Sequence, residues 1–396
     1  MMRSVAIVVT AGCLISAISF GVRAGFGLFL EPMSADLGWG REVFALSIAF
    51  QNLLWGVGQP FAGAIADRYG SGRVLAGGAL LYAAGVMLMS VSASPLHMHL
   101  TAGVMVGLGI SGASFAVVLA AITRLVPPEK IGWAMGIGTA AGSLGQFLFV
   151  PLGQAFLAAY GWSTALLLLG VVAAFMIPLA GALTGKPGKI GREQTLGQAL
   201  REAGGHRGYW LLLSGFFVCG FHVAFIQVHL PAYITGSGLA ASTAAYGLAV
   251  IGLFNIAGAY AAGTFAGRFR DKKILSGIYF VRAVAIAAYI LLPISAWSTY
   301  VFCAVMGLLW LSTVPLTSSI VVHVFGRRYV GTLFGIVFFS HQIGAFIGVW
   351  LGGRVFDATG SYLPVWWAAV ALGAFAALVN LPIDDRKLGA EEPASV

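Results

Sequence analysis

Residues 63–73 read GAIADRYGSGR, and 200 positions further on residues 263–273 read GTFAGRFRDKK. Each is a short basic break between two long apolar runs, with Gly63 facing Gly263, Arg68 facing Arg268 and Arg73 facing Lys273. Working outward at an offset of 199, Gly132, Gly136, Gly145, Gly153 and Gly161 fall on Gly331, Gly335, Gly344, Gly352 and Gly360. Five coincidences within thirty residues exceed chance, so the chain is read as two copies of one unit. The expected division is 1–184 and 209–396, joined by the charged, glycine-containing stretch 185–208.

The apolar runs say what kind of unit is repeated. Hydrophobic residues make up 59% of the 396 and charged residues 9%, against about 25% charged in soluble domains. Crossing a hydrocarbon core takes roughly 17–25 apolar residues as helix. Twelve runs meet that length: 5–30, 44–66, 74–93, 98–123, 131–156 and 162–184, then 209–235, 242–266, 274–295, 299–322, 330–353 and 362–383. The expectation is an all-α membrane protein of twelve spans in two pseudo-symmetric bundles of six. Pro32 is read as ending span 1.

The net charge of +9 would suit a nucleic-acid partner if it were clustered on one face, but its distribution argues otherwise. The basic residues alternate by loop: Arg3; Arg68 and Arg73; Arg124 and Lys130; Lys186, Lys189, Arg192, Arg201 and Arg207; Arg268, Arg270, Lys272 and Lys273; Arg327 and Arg328; Arg386 and Lys387. The opposite loops hold only Arg41 and Arg354. By the positive-inside rule both termini are expected to be cytoplasmic, and the expected setting is the cell inner membrane. No nucleic-acid partner is expected; the lipid bilayer is. Cys13, Cys219 and Cys303 lie in apolar runs without metal-ligand spacing and are read as small apolar residues.

GAIADRYGSGR resembles the loop between spans 2 and 3 of the major facilitator superfamily, with Gly63, Asp67, Arg68, Gly70 and Arg73 in matching places. The resemblance implies the major facilitator fold, with spans 1, 2, 4, 5, 7, 8, 10 and 11 around a central path and the third span of each three-helix unit at the periphery. It also implies a cytoplasmic latch made by Asp67, Arg68 and Arg73. In the second copy Gly267 stands where the aspartate would be.

Two basic residues lie inside spans. An arginine at mid-membrane costs about 2.5–3.5 kcal/mol to insert and normally faces a polar cavity or a partner. Arg23 is eight residues before Glu31, about 12 Å at 1.5 Å per residue, too deep to snorkel outward. Arg282 is as deep from the other side, in a peripheral span, so a structural role between helices weighs equally with substrate contact. None of the 13 acidic residues falls in the middle of a span. A cavity with arginine and no carboxylate attracts anions, and a carboxylate substrate pairs bidentately with guanidinium. Uncharged polar residues complete the candidate lining: Gln51, Asn52, Gln146, His222, Gln227, His229, Asn255, His341 and Gln342. His222, the repeat mate of Arg23, and His341 are the candidate proton carriers, because imidazole exchanges protons near neutrality and no embedded acid competes. The ordinary alternative for each is a hydrogen-bonded core histidine.

FGVRAGFGLFLEP (20–32), followed by LGWGREVFALS (37–47) and a Gln/Asn-bearing second span, resembles the monocarboxylate and oxalate/formate branch of the superfamily. The resemblance puts Arg23 where the monocarboxylate carriers have a substrate-binding lysine. The chain departs from that branch in span 8, where Asn255 and Ala259 replace an acidic–basic pair, and in span 11, where His341 replaces a lysine. The expected function is a secondary transporter of a monocarboxylate-like organic anion, working as a monomer by alternating access with proton symport. Its rivals are proton-coupled efflux of drugs or other amphiphiles, disfavoured by the lack of an embedded carboxylate, and a non-transporting membrane metabolite sensor, disfavoured by the short tail. No Ser/His/Asp set, metal cluster or phosphate loop suggests an enzyme or a cofactor.

Overall fold

A computed structural model describes residues 5–127, 130–184, 196–325 and 330–385. The expected linker residues 185–195, and the basic residues Arg3, Lys186, Lys189, Arg192, Arg327, Arg328, Arg386 and Lys387, lie outside the described residues. Among those described, ten helical stretches are long and apolar enough to cross a membrane. One of the ten, Gly136–Leu183, has 48 residues and turns at Gly161 (φ 74°), which makes two crossings of it. A further helix, Arg41–Tyr69, has 29 residues but carries Gln51, Asn52 and Gln59 in its middle, which lowers its hydropathy. The count is therefore the expected twelve.

In chain order, α1 is Val5–Ala24, continued after a 3₁₀ turn Phe26–Phe29 by Leu30–Leu37. α2 is Arg41–Tyr69 and α3 is Ser71–Met89. α4 begins at Pro95, passes through a π-helical stretch His99–Met105 and Val106–Gly112, and ends as Phe115–Leu125. α5 and α6 are the two sides of Gly161, 131–160 and 162–174, with α6 prolonged by Met176–Ala180. The second half comprises α7 Arg207–Gly236, α8 Ala241–Phe265, α9 Asp271–Leu291, α10 Ala296–Leu309 continued as Thr313–Phe325, α11 Val330–Thr359 and α12 Leu363–Asn380. A short helix, Leu196–Gly205, precedes α7. Pro32 does not end the first crossing: it sits in the first turn of Leu30–Leu37, where a missing N–H costs nothing, so α1 runs seven residues beyond the expected limit.

The repeat read from the sequence recurs in the backbone. Gly161 and Gly360 both have positive φ (74° and 70°) and turn α5 into α6 and α11 into α12, a conformation that L side chains resist. Gly145 packs on the backbone of Ala17 in α1, and Gly344 on that of Phe217 in α7; a methyl at either would strike a carbonyl, which is how helices approach closely without a hydrophobic drive from lipid. α4 breaks at Ala113–Ser114, where Ser114 accepts a hydrogen bond from Val117 N at 3.3 Å and caps the new segment. Its mate α10 breaks at Trp310–Ser312 and restarts at Thr313, 199 positions after Ser114.

The halves meet along two seams. In the first, Gly353 of α11 lies against Ala45 and Glu42 of α2, and Gly56 of α2 against Gln342 and Phe339; Gln342 Nε2 donates to Asn52 O at 2.9 Å. In the second, Asn255 Nδ2 donates to Ser143 Oγ and Gln146 Nε2 to Leu248 O, each at 2.8 Å, joining α8 to α5. The two ends of the bundle differ: the near end carries the first and last described residues, and the far end is opposite. The first seam is tight toward the far end, the second is closed at mid-depth, and both part toward the near end. Seven residues along α2 from Gly56, on the same face, Gly63 has nothing within 4 Å of a would-be Cβ, and neither have Gly335 and Gly331 on α11, Gly136 on α5 or Gly263 on α8.

Candidate functional site

Arg23 lies at the level where the first seam parts. Its Nη1 donates to Asn52 Oδ1 at 3.4 Å, and its guanidinium stands 4.9 Å from the Trp55 ring centre and 5.5 Å from that of Phe20. These are cation–π contacts, which need no opposite charge. Among the described residues no acidic side chain pairs with it, and the side chain is partly exposed. The result is a cation at mid-depth, backed by aromatic faces, with its charge uncompensated.

Around it runs a connected lining. Trp55 Nε1 donates to Gln59 Oε1 at 3.0 Å and Gln59 Nε2 to Ser114 Oγ at 2.9 Å, which ties the face of α2 to the break in α4. Trp55 meets Phe338 edge-on at 5.2 Å, and Phe338 stacks on His341 at 5.8 Å with 9° between planes. His341 Nδ1 is 2.9 Å from Gln342 Oε1. Asn52, Gln342 and His341 therefore form a polar line from Arg23 across the seam. Trp55 and Gln59 were missed in the sequence, although with Asn52 they share a face at i, i+3 and i+7.

The other expected site residues are placed differently. Gln51 turns into its own half, donating to Ala102 O at 3.0 Å. Gln146 and Asn255 are fully buried in the second seam, with Asn255 Oδ1 also accepting from Leu311 N at 3.0 Å in the break of α10. His222 is spent between α7 and α12: its Nε2 is 2.8 Å from Ala369 O and it is 0% exposed, so it is set apart from Arg23. Arg282 is also 0% exposed; its Nη2 donates to Leu309 O and Trp310 O. It therefore caps the outer segment of α10, whose last carbonyls have no intrahelical partners and carry the negative end of the helix dipole.

At the near end, Asp67 is partly buried and Arg68 and Arg73 are exposed, Arg68 lying 5.2 Å from the Tyr69 ring. In the second copy the aspartate is displaced rather than lost: Asp271 Oδ1 accepts from Gly267 N at 3.0 Å, and Lys272 pairs with Asp385 at 3.3 Å.

The far end holds a network the sequence reading did not assemble. Asp357 of α11 accepts from Arg41 N at 2.9 Å and Glu42 N at 2.8 Å, so one half supplies the cap for the first turn of a helix in the other. The cap residue in the chain itself is Gly40, and a Cβ there would run into Asp357. Arg41 stacks over Phe356 at 3.7 Å and donates to Tyr362 Oη at 3.0 Å. Glu42 accepts from Trp350 Nε1 at 3.0 Å and Arg354 Nη1 at 3.2 Å, and Thr235 of α7 donates to Glu31. Burial pushes the Tyr362 phenol up to about 12, against the opposing pull of Arg41, so it stays a neutral donor. His229 Nε2 is 2.7 Å from Val349 O, and the tautomer this assigns leaves Nδ1 to accept from Tyr362 Oη at 3.3 Å. The signal was present in the sequence: Arg41 and Arg354, the only basic residues of the sparse loops, have Glu31, Glu42 and Asp357 at the same membrane level.

Two repeated six-helix bundles, a polar mid-depth site and a seam open at one end define a multi-pass membrane transporter. Residues 12–349 match the profile of the Major Facilitator Superfamily, and the chain belongs to that family. It is 26% identical over 393 residues to the uncharacterized MFS-type transporter YcxA of Bacillus subtilis (strain 168), with 94% of each chain covered. It is 26% identical over 384 residues to monocarboxylate transporter 13 of Rattus norvegicus, covering 93% of this chain and 86% of that one. Among solved structures, a bacterial homolog of the human lysosomal transporter Spinster, in an inward-facing and occupied conformation, superposes with a TM-score of 0.79 at 15% identity over 97% of this chain and 99% of that one. That likeness concerns the fold.

Proposed function

We propose that the protein is a secondary transporter of small monocarboxylate-like anions, moving them by alternating access with proton symport. One observation carries the reading: Arg23 stands at the apex of the parted seam with no acidic partner among the described residues. A carboxylate entering that space gains a charge-assisted, bidentate partner on an aromatic-backed wall, and the permeant thereby supplies the charge the protein withholds. Asn52 orients the guanidinium, and Trp55 and Gln59 shape the wall. Similarity to monocarboxylate transporters along nearly the whole chain agrees with an acid as cargo.

The proton is assigned to His341, which reaches Arg23 through Gln342 and Asn52 and carries the one kind of side chain that ordinarily exchanges protons near neutrality. Gln146 and Asn255 hold the second seam while the halves rock; Gln51, His222 and Arg282 brace the walls. By the alternation of basic loops the near end is cytoplasmic and the membrane is the inner one, so the parted seams face inward. Asp67, Arg68 and Arg73 would close that end, the protein acts as a monomer, and the moving bodies are 1–184 and 209–396 with 185–208 as the connection. Uptake of labelled short monocarboxylates into proteoliposomes under an imposed pH gradient tests this. Accumulation driven by an acidic outside is expected; uptake indifferent to the gradient removes the proton step, and no uptake of any carboxylate removes the anion.

A further inference from the structure

The second half contains a buried charge that the transport site does not use. Arg282 is 0% exposed and, among the described residues, has no carboxylate against it. Guanidinium does not lose its proton in proteins, and stranding an uncompensated charge in a membrane-embedded bundle is strongly unfavourable. Two of its hydrogen bonds go to the carbonyls of Leu309 and Trp310, which solvate the charge without cancelling it. The third goes to sulfur: Nη1 lies 3.4 Å from Cys219 Sγ.

Cys219 is itself 0% exposed, and groups able to donate a hydrogen bond face it from α9 and α10. Thr313 Oγ1 of α10 is 3.2 Å away. The Tyr279 hydroxyl of α9, which has no hydrogen-bond partner among the described residues, stands within interaction range of the same sulfur, as does the His341 ring of α11, whose Nδ1–H goes to Gln342 Oε1. A neutral thiol is a poor acceptor and gains little from such company; a thiolate gains from the guanidinium and from each hydroxyl. Of the two acids beside Arg282, an ordinary thiol ionises near 8.5 and a phenol near 10, so sulfur gives up its proton first.

We propose that Cys219 is a buried thiolate, the anionic partner of Arg282. On folding the S–H bond breaks, its electron pair stays on sulfur and the proton passes to water; nothing is oxidised. The pair ties α7 to α9 and, through the Leu309 and Trp310 carbonyls, to the break in α10. The inference rests on the geometry of the second half and stands whether or not the cargo is a carboxylate. Infrared spectroscopy of the S–H stretch in the purified protein tests it. The wild type is expected to show, at neutral pH, the band intensity of two thiols, from Cys13 and Cys303, and to gain the third after denaturation in acid. The Cys13→Ala/Cys303→Ala variant is expected to show no band at neutral pH, and Arg282→Gln in that background to restore it. Intensity of three thiols in the folded wild type at neutral pH overturns the proposal.

Discussion

The two ends of the interface between the halves use the same helix pair to opposite effect. At the far end α2 and α11 are joined by a helix cap supplied across the seam, a stacked arginine and glycines too close for any side chain. At the near end the same two helices leave Gly63 and Gly335 facing open space. The far-end contacts are specific but individually modest, which suits the alternating access proposed above: a closure worth many kcal/mol would trap one state, whereas a few can be exchanged against a rival closure.

Each contrast suggests a way to break it. Gly353→Leu acts most strongly, because a Cβ there meets Ala45 Cβ at 2.6 Å and overpacking costs about 1–3 kcal/mol, a shift of roughly 5- to 150-fold against far-end closure. Spin labels at 38 and 361 should report a longer far-end distance, and a cysteine at Gly63 should react more slowly with maleimide as the near end closes. Asp357→Ala removes the cap supplied across the seam and should move the same equilibrium by about 0.5–2 kcal/mol, roughly 2- to 30-fold. Asp357→Asn, which keeps a capping oxygen, should move it less; equal effects would mean that charge rather than capping holds the end. Arg354→Ala should change the far-end distance distribution least, below about threefold, because the side chain is 62% exposed and rim ion pairs contribute little.

The fold was legible because lipid imposes a length on every crossing and the repeat doubles each signal: Gly161 and Gly360, or Gly145 and Gly344, could be matched before any geometry was known. Arg23 was legible for the same reason, since a mid-span cation in oil always needs an explanation. Direction was not legible. A helix of known span says how deep His222 lies but not that it faces α12, and Arg282 could not be seen to cap a break in α10 that leaves no proline or glycine at its centre. The far-end network escaped because its members come from α1, α2, α7, α11 and the turn before α12, each unremarkable until folding brings them together.

The central claim is that Arg23 lacks its counter-charge until the cargo brings one. The direct measurement is the thermal stability of the purified protein titrated with lactate and with lactamide, its uncharged counterpart, in the wild type and in Arg23→Gln. The account predicts a concentration-dependent rise with lactate in the wild type, little with lactamide, and little with either in Arg23→Gln. A rise with lactate undiminished in Arg23→Gln, or one matched by lactamide in the wild type, would contradict it.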